Sequence, residues 1–404
     1  MTKLTFIHAA DLHLDSPFAG MSKLPNQMLK RLKESTFQSA KNMFDLAIDR
    51  EVDFVLLSGD IFDESNRSLK AQLFLRNQFL RLQQNGIQVF MIYGNHDHLG
   101  GEWTPIEWPE NVHVFSTSMP SVQSYNRGER LVASIYGFSY KERAVYENMT
   151  PHYSKETDAP YHIAMLHGTL AGQEGHDAYA PFQLHQLIAK DMSYWALGHI
   201  HKRAILHKEP FIIYPGNLQG RHIKETGEKG CYLVQLTEHS ETAEFHRCAD
   251  VHFETVTLDI THTLHMTDLI TLVENRLNDL REQGLPHFVK VVLTGHAPDY
   301  FVETSQEVLE ELITVLHDQE EDEENFIWVM SIDRRTEEET SFSKDPFLEE
   351  LTSEIADFDA FEELLSPMKR HPIYRKLGKA FTKEDEADMK EEARRLLTEQ
   401  LKQL

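Results

Sequence analysis

The chain has 404 residues, 41% of them apolar, enough for two or three domains with a large core. No run approaches the roughly 20 consecutive apolar residues that span a bilayer, which excludes a helical membrane protein. Net charge is −25, yet residues 1–205 balance at −3 while residues 206–404 carry −22, so the acidity belongs to the second half and argues against that half wrapping a polyanion by itself. Two cysteines, Cys231 and Cys248, imply neither a disulfide framework nor a thiolate zinc site and read as small buried apolar residues. Lys3 to His8 runs straight into the first motif without a signal peptide, and a cytoplasmic location is expected.

Leu4 to Ala9 reads as a buried strand and is followed by Asp11-Leu12-His13. A helix from Leu24 to Arg50 shows Leu29, Leu32, Phe37, Ala40, Phe44 and Ala47 near a 3.6-residue period. The strand Phe54–Ser58 leads into Gly59-Asp60-Ile61-Phe62-Asp63. A second helix, Leu69 to Asn85, stops at Gly86 and returns to the strand Val89–Tyr93, followed by Gly94-Asn95-His96-Asp97. Alternation of strand and helix predicts parallel pairing with right-handed crossovers. From Glu102 to Tyr140 the Gly, Pro and Asn punctuation predicts a second, more antiparallel sheet containing Val112–Phe115 and Leu131–Phe138.

Ile163–Leu166 precedes His167-Gly168, and Tyr194–Leu197 precedes Gly198-His199-Ile200-His201. Short strands follow between Ile205 and Leu236. Phe253 to about Asp333 reads strand, helix, strand, helix, strand, a small appended α/β module. Thr336 to Lys344 is a linker by composition, and the remainder carries Leu348, Leu351, Ile355 and Phe358 at helical spacing, with a last helix beginning near Thr382.

Five strands thus place carboxylates, an amide and imidazoles at their carboxyl ends, where open α/β sheets bind ligands. Asp11 and His13, two apart, project from one face if the backbone is extended, and His199 with His201 repeats the spacing. Asp60 has lone pairs enough to bridge two cations, Asn95 offers a neutral oxygen and His167 an imidazole. Hard Asp, Asn and His donors without thiolate suit Mn²⁺, Fe²⁺ or Zn²⁺. Each motif alone is weak; five in order, each after an apolar strand, are specific.

The set resembles the calcineurin-like metallophosphoesterase superfamily and, within it, the SbcD-type bacterial DNA repair exonucleases. The YhaO group is the nearest in Asp11-Leu12-His13-Leu14-Asp15-Ser16-Pro17-Phe18 and His176-Asp177-Ala178-Tyr179-Ala180-Pro181-Phe182. The likeness covers about residues 4–235, including Tyr214-Pro215-Gly216-Asn217. It implies a four-layer α/β sandwich, two mixed sheets flanked by helices, over residues 1–250, with an α/β capping module at 251–335 and a linker and C-terminal helices at 336–404. One metal would be held by Asp11, His13, Asp60 and His201, the other by Asp60, Asn95, His167 and His199, with Mn²⁺ the first expectation. His96 would be the general acid and Asp63 would orient it. The implied activity is a DNA phosphodiesterase, a 3′-to-5′ exonuclease with single-strand endonuclease action as an addition, in repair or recombination. The implied partners are DNA, a coiled-coil SMC-type ATPase gripped by the C-terminal helices, and a second copy of the chain. The chain has no G-x-x-x-x-G-K-[ST], so ATP use falls to a partner.

Two rivals stand beside this reading: a phosphoesterase for small nucleotides or phosphomonoesters, and a non-catalytic scaffold. Among residues of less certain role, His8 reads as a satisfied core imidazole, and Trp103 and Trp108 as packing rather than base-stacking residues. Arg221 and His222 read as a surface loop by default, while His98 and His176 lie near the presumed rim.

Overall fold

The structure, a computed structural model, describes residues 3–336 except 19–20, 22–23, 64–66, 102, 118, 173–178, 303, 319 and 322, together with residues 389, 390 and 393. The first half alternates β1 (Leu4–Ala9), α1 (Asn26–Asp49), β2 (Phe54–Ser58), α2 (Leu69–Gln84), β3 (Gln88–Ile92) and β4 (Val112–Val114). Pro25 sets the fixed φ that opens α1, and the Ser68 hydroxyl caps α2 by accepting from the Ala71 amide at 3.0 Å. Gly86, with φ of 72°, turns the chain out of α2 in the left-handed conformation that costs other residues most.

A second run comprises β5 (Ser121–Arg127), β6 (Arg130–Gly137), β7 (Tyr161–His167), α3 (Leu184–Ile188), β8 (Tyr194–Gly198), β9 (Ala204–Lys208) and β10 (Phe211–Tyr214). Then β11 (Gly230–Leu236) and β12 (Glu241–Arg247) return to the first sheet. The sheet orders are β12-β11-β1-β2-β3-β4 and β5-β6-β7-β8-β10-β9. Within the first, β1 to β4 pair in parallel; within the second, β6, β7, β8 and β10 do. Two expectations are corrected here. Val112–Val114 belongs to the first sheet, pairing in parallel with β3, and the second sheet is antiparallel only at its two edges. A three-residue strand carries too little pattern to announce its partner.

Alternation along each strand divides the core into layers. Ile7, Ala9, Val55, Leu57, Val89 and Met91 face α1 and α2. Phe6, Phe54, Leu56 and Phe90 meet Ile135, Ile163, Met165 and Tyr194 between the sheets. Ala164, Leu166, Trp195, Leu197 and Ile212 pack under α3 and its flanking loops on the far side. The result is a four-layer α/β sandwich of two mixed sheets.

The third sheet is fully parallel: β13 (His252–Asp259), β14 (His287–Thr294) and β15 (Ile327–Arg334), in that order. It is wound by α4 (Met266–Arg281), α5 (Asp299–Val302) and α6 (Gln306–His317), which bury Leu269, Val273, Phe301 and Leu309 against Val256, Val291 and Val329. Phe253, Phe288 and Trp328 pack on Met28 and Leu32 of α1, and Arg31 grips Asp250 through two 2.8 Å hydrogen bonds. Met389, Lys390 and Ala393 are helical; the expected linker and the helical positions from Leu348 to Phe358 lie outside the described residues.

His8 is the core imidazole that the sequence suggests. Its Nε2 donates to the Leu197 carbonyl at 3.0 Å, so its Nδ1 accepts from the Tyr194 hydroxyl at 2.9 Å. Burial pushes its pKa down from 6.5 to about 3, against the smaller opposing effect of the Leu197 carbonyl. A depressed histidine gives stability that is complete above the unfolded value and lost as pH falls from 6.5 toward 3. His8→Gln is therefore expected to flatten the acid limb of stability against pH by about 1.4 kcal/mol per pH unit in that window. Urea melts from pH 7 to pH 4 check this, and an unchanged slope contradicts it.

Candidate metal centre

The first two motifs are laced together through the main chain. Asp11, His13 and Leu14 donate their amides to the carbonyls of Gly59, Asp60 and Ile61, each at 3.0 Å. The backbone here is not extended, contrary to the expectation from spacing. Strand β1 ends at Ala9, and Asp11 and His13 adopt φ of 52° and 43°; Asp60 has 49° and His199 has 98°. Asp and His tolerate this left-handed region better than branched residues do, and such strain concentrates at functional sites. The side chains converge because the loops turn, not because they alternate.

Asp97 clamps the second motif to the third. Its carboxylate accepts from the amides of Gly94 at 2.6 Å, Ile61 at 2.7 Å and Phe62 at 3.3 Å. Buried Arg67 secures the same loop from behind, donating to the carbonyls of Asp97 and His98. Its guanidinium lies 4.1 Å from the Tyr93 ring centroid and 4.0 Å from that of Trp103. Trp108 packs on Phe79, so both tryptophans serve packing.

All seven residues predicted as ligands meet on one rim. His13 Nε2 lies 3.0 Å from His201 Nε2 and 3.9 Å from Asp60 Oδ2. On the other side of Asp60, His167 Nε2 is 3.5 Å from the same Oδ2 and 2.9 Å from Asn95 Oδ1, and His199 Nδ1 is 3.2 Å from that amide oxygen. Asp11 accepts from the His199 amide through both oxygens at 3.1 Å. Among the described residues, three groups have donor atoms close enough to hold an ion: Asp11–His13–His201, Asp11–Asp60–His167 and His13–Asp63–His96. Asp11 is common to the first two, and Asp60 reaches toward His13 on one side and His167 on the other. No thiolate is present, so the donor set fits hard or borderline divalent ions.

The electrostatics agree with that crowding. Burial, reinforced by the charge of Asp60, pushes the Asp11 carboxyl up to about 6. Burial works the same way on Asp60, but His167, His96 and His13 overcome it and hold Asp60 well below the usual carboxylate range. His167 is raised to about 9 because Asp60 outweighs its burial. For His13 burial dominates and lowers it to about 3. The His167 Nδ1 donates to the Ser58 carbonyl at 2.9 Å, which fixes that ring with Nε2 toward Asp60.

His96 and Asp63 are arranged differently from the expectation. His96 Nδ1 donates at 2.8 Å to the main-chain carbonyl of Asp63, while the Asp63 carboxylate lies 3.1 Å from His13 Nδ1 and is paired with Arg221. The carboxylate is drawn away because a guanidinium is the stronger partner. Arg221 is thereby part of the site and not a free surface residue. His176 lies outside the described residues.

Three further residues, none with a role expected from sequence, shape the site. Asp97 closes the third motif, Arg67 stands in a segment with no motif, and Glu225 stands in a charged loop. Glu225, its side chain 9% exposed, accepts from His201 Nδ1 at 2.7 Å. Burial alone would raise it, but His201 and Arg221 hold it well below the usual range.

Residues 4–203 match the family described as calcineurin-like phosphoesterase. The chain belongs to that family, whose members are metal-dependent phosphoesterases. It is 52% identical over 406 residues to the "Uncharacterized metallophosphoesterase YhaO" of Bacillus subtilis (strain 168), covering 100% of this chain and 99% of that protein. It is also similar to the DNA double-strand break repair protein Mre11 of Methanocaldococcus jannaschii, 26% identical over 251 residues, 58% of this chain and 63% of the relative. One component of the nuclease SbcCD of Bacillus subtilis is 26% identical over 263 residues, 55% of this chain and 64% of that protein.

Gly94 gives the sharpest test of how tightly the rim is built. A Cβ there would overlap Asp60 Oδ1 and stand 2.6 Å from His167 Nε2. Gly94→Ala is expected to cost ~1–3 kcal/mol through overpacking. Urea denaturation of the metal-free protein measures it, and no loss would mean that the two side chains have room to move apart.

Proposed function

We propose that this chain is a DNA phosphodiesterase that works with two divalent ions, Mn²⁺ first among them, and removes nucleotides from 3′ ends, with single-strand cleavage as an additional capacity. The observation that carries the reading is Asp60 reaching toward two imidazole groups, His13 on one side at 3.9 Å and His167 on the other at 3.5 Å. In it, Asp11, His13, Asp60 and His201 hold one ion, and Asp60, Asn95, His167 and His199 hold the other. When bound, the pair supplies Lewis acidity on a phosphoryl oxygen and a hydroxide nucleophile at neutral pH. Two carboxylates set against two doubly charged ions leave an excess positive charge, which a hydroxide and a singly charged phosphodiester neutralise.

His96 completes the reaction. Its Nδ1–H is held by the Asp63 carbonyl, a group that only accepts, so Nε2 is the nitrogen that can deliver a proton to the departing sugar oxygen. Asp63 serves it through the main chain, and Asp63→Asn is expected to act on His13 and Arg221 instead.

The choice of DNA over a small ester rests on the likeness to proteins named for DNA repair and nuclease action and on the near-neutral first half of the chain. By the same likeness, a cytoplasmic repair assembly with a coiled-coil ATPase, joined through residues 336–404, is the proposed setting, and a second copy of the chain is a proposed partner.

The test is to incubate the full chain and Mn²⁺ separately with end-labelled linear duplex DNA and with p-nitrophenyl phosphate. Loss of label from 3′ ends, abolished by chelator and by Asp60→Asn, is expected. Hydrolysis of the small ester alone would remove the nuclease reading. His96→Asn is expected to lower kcat on DNA by ~10²–10⁴ while Mn²⁺ affinity stays unchanged. A variant that turns over normally would relieve His96 of its role.

A further inference from the structure

We propose that Glu225 is a positioning residue for His201 and that its charge strengthens the metal position that His201 shares with His13. The inference rests on the metal reading above and adds a residue to it.

The geometry is specific. Glu225 Oε1 accepts from His201 Nδ1 at 2.7 Å. Its other oxygen takes two N–H donors, so Glu225 faces its neighbours as an acceptor, Nδ1 of His201 carries the hydrogen and Nε2 presents its lone pair. That Nε2 is the atom lying 3.0 Å from His13 Nε2, where two imidazoles point at one place. The other oxygen of Glu225 is also engaged, accepting from Asn217 Nδ2 at 2.9 Å and from the Arg221 amide at 2.7 Å. With both oxygens held and little of the side chain exposed, the carboxylate cannot rotate away. The Arg221 amide binds Glu225 while its guanidinium pairs with Asp63, so one residue ties together the two carboxylates that flank His201 and His13. Asp63 is the weaker of the two supports: it approaches His13 Nδ1 to 3.1 Å, but that nitrogen has no aligned hydrogen bond.

His167, on the far side of Asp60, is held by a neutral group, its Nδ1 donating to the Ser58 main-chain carbonyl at 2.9 Å. A charged partner behind an imidazole makes it a stronger donor and fixes its direction more firmly than a carbonyl does. The charge of Glu225 therefore strengthens His201 as a donor toward the position that it shares with His13.

Manganese titration of the metal-free full chain, followed by calorimetry and by the electron paramagnetic resonance signal of free Mn²⁺, tests this without recourse to activity. The wild type is expected to take up two ions. Glu225→Gln, which keeps the shape and removes the charge, is expected to weaken one of them by about 10–100-fold and to leave the other within about threefold. Unchanged binding of both ions in Glu225→Gln overturns the inference while leaving the metal reading intact. Equal weakening of both ions also overturns it, since that is what a merely structural role predicts. No uptake by the wild type overturns the metal reading and the inference together. Should Glu225→Gln fail to fold by circular dichroism, Glu225→Asp supplies the same comparison, with a smaller loss at the same ion expected because the charge is kept but withdrawn.

Discussion

The interaction on which the rest depends is the forced company of two buried carboxylates, Asp11 and Asp60, among five imidazoles on one rim. Both carboxylates are 1% exposed, so water screens neither of them. Two like charges at about 4 Å repel by roughly 4 kcal/mol at the effective dielectric of a protein near its surface. Burial and the neighbouring Asp60 charge push Asp11 up, and Asp60 raises His167. Two divalent ions held as proposed would repel one another by roughly 16 kcal/mol on the same scale, four times the unit-charge figure, and the carboxylates would hold them together.

The fold supplies the stiffness this requires. Parallel strands β1, β2 and β3 end side by side, and β7 and β8 do the same in the facing sheet, so five loops are delivered to one edge. Main-chain hydrogen bonds between the first two loops, the Asp97 clamp and buried Arg67 then remove their freedom to relax. Gly94 admits Asp60 and His167 to a space that any Cβ would occupy. Left-handed backbone at Asp11, His13, Asp60 and His199 is the strain that this packing sustains.

Much of this could be read from the residues alone. Fully buried parallel strands appear as unbroken apolar runs, which is why β1, β2, β3 and β8 were visible with their motifs attached. The third sheet was equally legible, its three strands and the long helices between them each leaving a periodic signal. What escaped was either short or distant. β4 has three residues and no pattern that selects a neighbour. The left-handed turn at Asp11 and His13 belongs to residues whose type does not demand it. Glu225 sits in an irregular, charged loop that reads as solvated surface, and only the fold brings it beneath His201. The Asp63 carboxylate found Arg221, 158 positions away, a partner that no local spacing can announce.

The most direct measurement is anomalous diffraction from crystals of the full chain soaked in Mn²⁺. Two peaks about 4 Å apart are expected, with the Asp60 carboxylate between them and His13 and His201 on one, His167 and His199 on the other. A single peak, or manganese bound away from Asp60, would contradict the account.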